Sequence, residues 1–214
     1  MAIKAVIWDF GGVLTSSPFD AFARYEAARG LPAEFIRTVN AFRPDANAWA
    51  LFERNEIDAD EFDRRFLAES AALGHPVPGR DVLPLLSGDL RPRMVAALQA
   101  CKARYKVGCI TNNMATHHSP GGAMARGEAT AVAAVLALFD EVIESSKAGV
   151  RKPDPRIYLM MSEALGVEPA ACVYLDDLGI NCKPAAQLGM RAIKVVDEDR
   201  ALGELAQATG LTFA

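Results

Sequence analysis

Cysteine is scarce in this chain, and no excess of positive charge accompanies its length. The 214 residues hold four cysteines, Cys101, Cys109, Cys172 and Cys182, with neither a CxxC pair nor a zinc-ligand spacing. Cys109 and Cys172 fall inside apolar strand-like runs, where a free thiol acts as a small hydrophobe. Disulfide and metal-thiolate roles are set aside on that ground, and a reducing compartment is expected. Formal net charge is -4, so there is no basic field for nucleic acid or an anionic membrane, and any anion site must be a local arrangement. Long hydrophobic runs are missing as well. The longest, Ala129 to Phe139, is interrupted by Thr130 and too short to span a bilayer. Asp9 breaks the first apolar run before a signal-peptide core is complete. A cytoplasmic location follows by elimination, with no membrane and no nucleic acid as partner.

What is present is a soluble globular composition, 51% hydrophobic and 23% charged. It opens on Lys4-Ala5-Val6-Ile7-Trp8-Asp9-Phe10-Gly11-Gly12-Val13-Leu14. Apolar residues rich in Val and Ile predict a strand buried on both faces, as in a parallel sheet. Asp9 then sits at its carboxyl end, where open α/β sheets place ligands, and Gly11 and Gly12 let backbone approach closely.

Residues 17–88 change character. Ser17-Pro18 predicts an N-cap with proline at the first helical position, and Gly30 a stop. A second helical pattern runs through Phe35, Ile36 and Val39. Asp58 with Glu61 resembles a capping box ahead of Phe62, Phe66 and Leu67. Phe19, Phe22, Tyr25, Trp49 and Phe52 recur at helical spacing and are expected in the core of a small bundle. No β-rich stretch occurs here, so an all-helical insertion is expected. From Leu90 onward strand and helix alternate. Helices are predicted at Pro92–Arg104, Ala129–Phe139 and Asp154–Gly166, and strands at Val107–Ile110, Glu141–Glu144, Ala171–Leu175 and Ala192–Val196. The stretch Met114–Gly127 reads as a long loop. The expected fold is α/β, a doubly wound, Rossmann-like parallel sheet of residues 1–16 and 89–214 around the inserted segment.

Three strands end in polar residues: Asp9, Thr111-Asn112 and Asp176-Asp177. Val150-Arg151-Lys152-Pro153-Asp154-Pro155 adds a lysine at the mouth of a helix. Each has an ordinary structural reading: Asp9 as a turn cap, Thr111 as a strand-end cap, Lys152 as surface charge, Asp176-Asp177 as a helix N-terminal pair. Together on one sheet edge they make a site for a hard cation and a phosphate: carboxylates for Mg2+, the Thr111 hydroxyl and Asn112 N–H for phosphate oxygens, and Lys152 for charge balance.

The order Asp9-Phe10-Gly11-Gly12-Val13, Ile110-Thr111-Asn112, Lys152-Pro153 and Asp176-Asp177 resembles the haloacid dehalogenase superfamily. The runs Gly149–Tyr158 and Tyr174–Lys183 are similar to the branch containing the N-terminal phosphatase domain of soluble epoxide hydrolase. The resemblance implies a Mg2+-dependent phosphatase acting on a small phosphorylated metabolite, with residues 17–88 as a helical cap that shapes substrate choice. It implies Asp9 as the nucleophile that becomes an aspartyl phosphate. Asp9 and Asp177 would ligate Mg2+ directly, Gly11 through its carbonyl, and Asp176 through water or as an orienting group. Thr111, Asn112 and Lys152 would bind the phosphoryl group. The family's second Asp, two residues after the nucleophile, is Gly11 here, so the acid/base group is missing. A substrate with a good leaving group, a proton from His117 or His118, or a non-catalytic phosphate-binding module would each account for that. Dehalogenase activity fits poorly, because those enzymes usually carry an aromatic at position 11 and need no metal. A cap with several aromatics leaves room for a homodimer interface.

Overall fold

The computed structural model describes residues 2–112 and 126–213. Five strands, β1 (Ala5–Trp8), β2 (Lys106–Thr111), β3 (Glu141–Glu144), β4 (Cys172–Asp176) and β5 (Arg191–Lys194), form one sheet in the order β3-β2-β1-β4-β5. Every pairing is parallel. The helices, in chain order, are α1 (Pro18–Arg29), α2 (Phe35–Ala41), α3 (Ala48–Glu53), α4 (Ala59–Ala72), α5 (Gly79–Val82), α6 (Pro92–Lys102), α7 (Arg126–Leu136), α8 (Ser145–Ala148), α9 (Pro155–Leu165), α10 (Gly179–Gln187) and α11 (Glu198–Thr209).

Strand alternation explains the two-sided winding, because successive side chains point to opposite faces. Val6 and Trp8 of β1, with Val173 and Leu175 of β4, pack against Met94 and Leu98 of α6 and Leu202 and Leu205 of α11. Ala5, Ile7, Cys172 and Tyr174 face the other way, onto Ile157, Tyr158, Met161 and Leu165 of α9. Gly108 lets α9 approach β2: a Cβ there would lie 2.4 Å from Met161 Sδ. Cys101, Cys109 and Cys172 are buried and Cys182 partly so. Burial pushes the Cys101 and Cys182 thiols up to about 12 and Cys172 to about 11. Burial raises the Cys109 thiol as well, so all four favour the protonated form near neutral pH.

The chain between β1 and α6 is helical and has its own apolar cluster, with Phe22, Phe35, Ile36, Val39, Phe52, Phe62 and Phe66 inside. Phe52, Phe62 and Phe66 stack at centroid separations of 4.9 and 5.5 Å. Burying each such ring stabilises by roughly 1.5–3 kcal/mol. Phe19, Tyr25 and Trp49 pack at the edge of this cluster. Helix α1 starts with Ser17 accepting from the Phe19 N–H and ends at Gly30. Asp58 caps α4 by accepting from the Glu61 N–H at 2.8 Å. Glu61 does not return the bond of a full capping box, because its carboxylate pairs with Arg64 and Arg65. Leu67 lies on the exposed side of α4. The two connections to the sheet lie side by side. Ser16 N donates to Asp89 O at 2.8 Å and Arg91 N to Leu14 O at 2.8 Å, with a Thr15–Leu90 antiparallel bridge between them.

Some boundaries differ from the sequence expectation. Helix α7 begins at Arg126, inside the stretch expected as a loop, and stops at Leu136. Leu138 and Phe139 close it with tighter three-residue bonds to Val135 and Leu136. Strand β5 ends at Lys194, and Val196 is exposed beyond it. Most of the Met114–Gly127 stretch, with His117 and His118, lies outside the described residues. Among the described residues no helix is long and apolar enough to cross a membrane.

Candidate active site

Register fixes where the polar strand ends meet. Trp8 pairs with Cys109 on one side and Leu175 on the other. The residues that follow, Asp9, Thr111-Asn112 and Asp176-Asp177, therefore leave the sheet at one carboxyl edge, the ligand edge of a parallel sheet. Ligand atoms of Asp9, Asp176 and Asp177 lie within 4.8 Å of one another.

Lys152 reaches this edge from the segment before α9 and is 1% exposed. Its Nζ lies 2.8 Å from Asp9 Oδ1 and 2.8 Å from Asp176 Oδ2, so one ammonium bridges two buried carboxylates. Burial acts against that charge, and the carboxylates of Asp176 and Asp9 outweigh it, holding the lysine above its usual range. Asp9 Oδ1 also accepts from the Phe10 N–H at 2.7 Å. Burial raises the Asp9 carboxyl well above the carboxylate range; Lys152 opposes the rise, and Asp176 and Asp177 add to it.

Asp176 is saturated with donors. Its Oδ1 accepts from the Leu178 N–H at 2.8 Å and Asn181 Nδ2 at 3.0 Å. Its Oδ2 accepts from Lys152, from Asn181 Nδ2 at 3.1 Å and from the Tyr174 hydroxyl at 2.5 Å. Asn181 is held in turn by Tyr158, whose hydroxyl donates to its carbonyl at 2.8 Å. Asp177 is half-buried; burial, reinforced by Asp176 and opposed by Lys152, pushes its carboxyl up to about 6. A set of carboxylate oxygens of this kind suits a hard divalent cation. Of the three, Asp176 has both oxygens engaged by protein donors, and Asp9 has its Oδ1 engaged by Lys152 and the Phe10 N–H.

The backbone is shaped to match. Gly12 has φ 73°, and a Cβ there would lie 2.3 Å from Asp177 Oδ2. At Gly11 nothing lies within 4 Å of the position a Cβ would take, and the residue is exposed. Thr111 ends β2, half-buried, in register with Glu144. The Asn112 side chain clamps the Lys152 peptide: Nδ2 donates to Lys152 O at 3.0 Å, and Oδ1 accepts from Lys152 N at 2.8 Å.

Sequence reasoning assigned no role to Tyr174, Asn181 or Glu53, which all touch this network. Asn181 had a visible signal, since it lies in the first turn of the helix that follows Asp176. Tyr174 reads as one more apolar strand residue, and nothing in the sequence brings Glu53 of α3 next to Asn112, which it meets at 3.4 Å.

Comparison with known proteins agrees with this geometry. A family described as haloacid dehalogenase-like hydrolases matches residues 3–189. A phosphatase of Mycobacterium tuberculosis is 34% identical over 91% of this chain and 88% of its own length. Mouse acyl-CoA dehydrogenase family member 10 is 31% identical over 97% of this chain, and pig bifunctional epoxide hydrolase 2 is 30% identical over 99%. This chain spans 19% and 40% of their lengths. Among solved structures, a HAD family enzyme of Bacteroides thetaiotaomicron, in complex with magnesium and inorganic phosphate, superposes with a TM-score of 0.62. It is 20% identical, and the match covers 92% of this chain and 97% of that one. A HAD-like hydrolase from Porphyromonas gingivalis reaches 0.68 at 16% identity over 99% and 100%.

Proposed function

Because the chain belongs to the haloacid dehalogenase-like hydrolases, we propose that it is a Mg2+-dependent phosphatase of a small phosphorylated metabolite, with Asp9 as nucleophile. The observation that carries the proposal is the Lys152 ammonium held between Asp9 and Asp176, beside Asp177. A relative named a phosphatase and a structural neighbour holding magnesium and inorganic phosphate support it.

Mg2+ would be held by Asp9 and Asp177, with the Gly11 carbonyl beside them and Asp176 acting through water or as an orienter, and would supply positive charge against the phosphate oxygens. The chain's own residues do the rest. Lys152 and the Phe10 N–H both engage Asp9 Oδ1, which fixes the carboxylate and leaves Oδ2 to attack phosphorus. The bond to the leaving oxygen breaks as the aspartyl phosphate forms, and water then attacks phosphorus and frees Asp9 and phosphate. The Thr111 hydroxyl, the Asn112 N–H and Lys152 bind the transferring group and balance its charge. Residues 17–88 form the cap over this edge, carried by the sheet domain of residues 1–16 and 89–214.

Gly11 brings no side chain to protonate the leaving group. The substrates that fit are therefore those whose leaving group departs readily as an anion, such as acyl or anomeric phosphates. The test is a panel of phosphorylated metabolites graded by leaving-group pKa, with and without Mg2+, on wild type and Asp9→Asn. Turnover that depends on Asp9 and Mg2+ and favours good leaving groups is expected. Turnover no greater than that of Asp9→Asn overturns the proposal. Retained vanadate binding at the site would then identify a phosphate-binding module without catalysis.

A further inference from the structure

One buried acid near this edge is not used by the reaction above, and it comes from the helical segment. Glu53, at the end of α3, is 5% exposed. Its Oε1 accepts from Trp49 Nε1 on its own helix at 3.0 Å. Its Oε2 faces the sheet domain, where it forms an ion pair with Arg151 Nε at 2.5 Å and accepts from Asn112 Nδ2 at 3.4 Å. The Glu53 carbonyl accepts from Ser145 Oγ at 2.7 Å. Arg151 completes the crossing with Nη1, which donates to Pro44 O at 3.0 Å. Residues 44–53 are thus fastened to residues 112 and 145–151 by both side chain and main chain.

The far side of this junction is the phosphate edge. The Asn112 amide that reaches Glu53 also donates to Lys152 O, and its Oδ1 receives Lys152 N. Arg151 is the residue before Lys152. Glu53 therefore grips Lys152 twice, once through the preceding residue and once through the Asn112 clamp. A carboxylate taken this far out of water is costly unless well paired, and here its partners are residues that set a lysine's position.

We propose that Glu53 is a positioning residue: by holding Arg151 and Asn112 it sets the Lys152 main chain, and with it the ammonium that bridges Asp9 and Asp176. Seating of the helical segment and assembly of the nucleophile's cation are then one event. The activity consequence rests on the phosphatase reading; the positional consequence does not.

The test uses the full chain with Glu53→Gln and Glu53→Ala. The first readout is residue-resolved amide exchange by NMR, comparing Lys152 with Val173 and Leu175 in the neighbouring strand. The second is kcat and KM for an aryl phosphate with Mg2+. The Lys152 amide is expected to exchange about tenfold faster or more while the strand amides stay as in wild type. A loss of about 10–100-fold, mainly in kcat, should accompany it, as for small misplacements of reacting groups. Wild-type exchange at Lys152 in both variants overturns the proposal. So does equal acceleration of every amide, which marks a merely structural role. If Glu53→Ala fails to fold, the isosteric Glu53→Gln gives the same readout. If wild type turns over no phosphate ester, the phosphatase reading falls, and amide exchange still decides the role of Glu53.

Discussion

Replacing Lys152 with Met removes the one ammonium that lies 2.8 Å from both Asp9 and Asp176 and leaves two buried carboxylates facing each other. Breaking a buried ion pair by deleting one partner costs about 3–5 kcal/mol, because the remaining charge is stranded out of water. Met fills much of the lysine's volume, so little of that loss comes from a cavity. The loss should also depend on pH in a definite direction. Burial already holds Asp9 above the usual carboxylate range, and Lys152 partly counters it. Without Lys152 the folded-state pKa rises further above the unfolded value of about 3.9. A carboxyl group with a raised folded pKa binds more protons folded than unfolded, so lowering the pH favours the folded state. Urea unfolding of Lys152→Met should therefore show a deficit of about 3–5 kcal/mol at pH 7.5 that shrinks by pH 5. Saturating Mg2+ should recover part of the deficit by binding the folded carboxylates. A deficit below about 1 kcal/mol at pH 7.5, in the range of a surface pair, would refute the reasoning. So would one that grows as pH falls.

Three further outcomes are expected. Gly11→Asp folds normally, since nothing lies within 4 Å of its Cβ position, and by supplying the missing acid raises kcat/KM for alkyl phosphates by about 10²–10⁴-fold; an equal change for acyl phosphates would reject the leaving-group account. Gly12→Ala pushes a Cβ to 2.3 Å from Asp177 Oδ2 at φ 73°. It should lose about 1–2 kcal/mol to backbone strain and at least about tenfold in Mg2+ affinity, read by thermal melting and calorimetric titration. If Asp177 and Asp9 hold Mg2+ as proposed, both must be deprotonated to bind it. Burial pushes the Asp177 carboxyl up to about 6 and raises Asp9 as well, so Mg2+ affinity should fall by about tenfold or more per pH unit below about 6; a flat titration series from pH 7 to 5 would contradict it.

Much of the sheet was legible because its strands are written as short apolar runs that stop at polar residues. Val6 to Asp9 and Cys172 to Asp177 each carry both the burial signal and the edge residue, so the convergence of Asp9, Thr111 and Asp176 needed only the parallel-sheet rule. Caps were legible for the same local reason: Ser17, Asp58 and Asp154 each bond an N–H two or three residues ahead. Contacts between distant segments were not. Glu53 lies 98 positions before Arg151, and a glutamate at a helix end looks the same whether it meets water or a buried arginine. Tyr174 was hidden differently: its ring satisfies the strand pattern, and only the structure reveals that its hydroxyl ends on Asp176.

The paired connections at Leu14–Ser16 and Asp89–Arg91 have a consequence beyond holding the helices in place. Entry to and exit from the helical segment are one hydrogen bond apart, Ser16 N to Asp89 O. A detour that begins and ends at the same point leaves the strand register unaffected whatever its length or content. The segment can thus be shortened, lengthened or grafted from another chain while β1 and α6 keep their relation, provided that Pro44 and Glu53 keep their contacts with Asn112, Ser145 and Arg151.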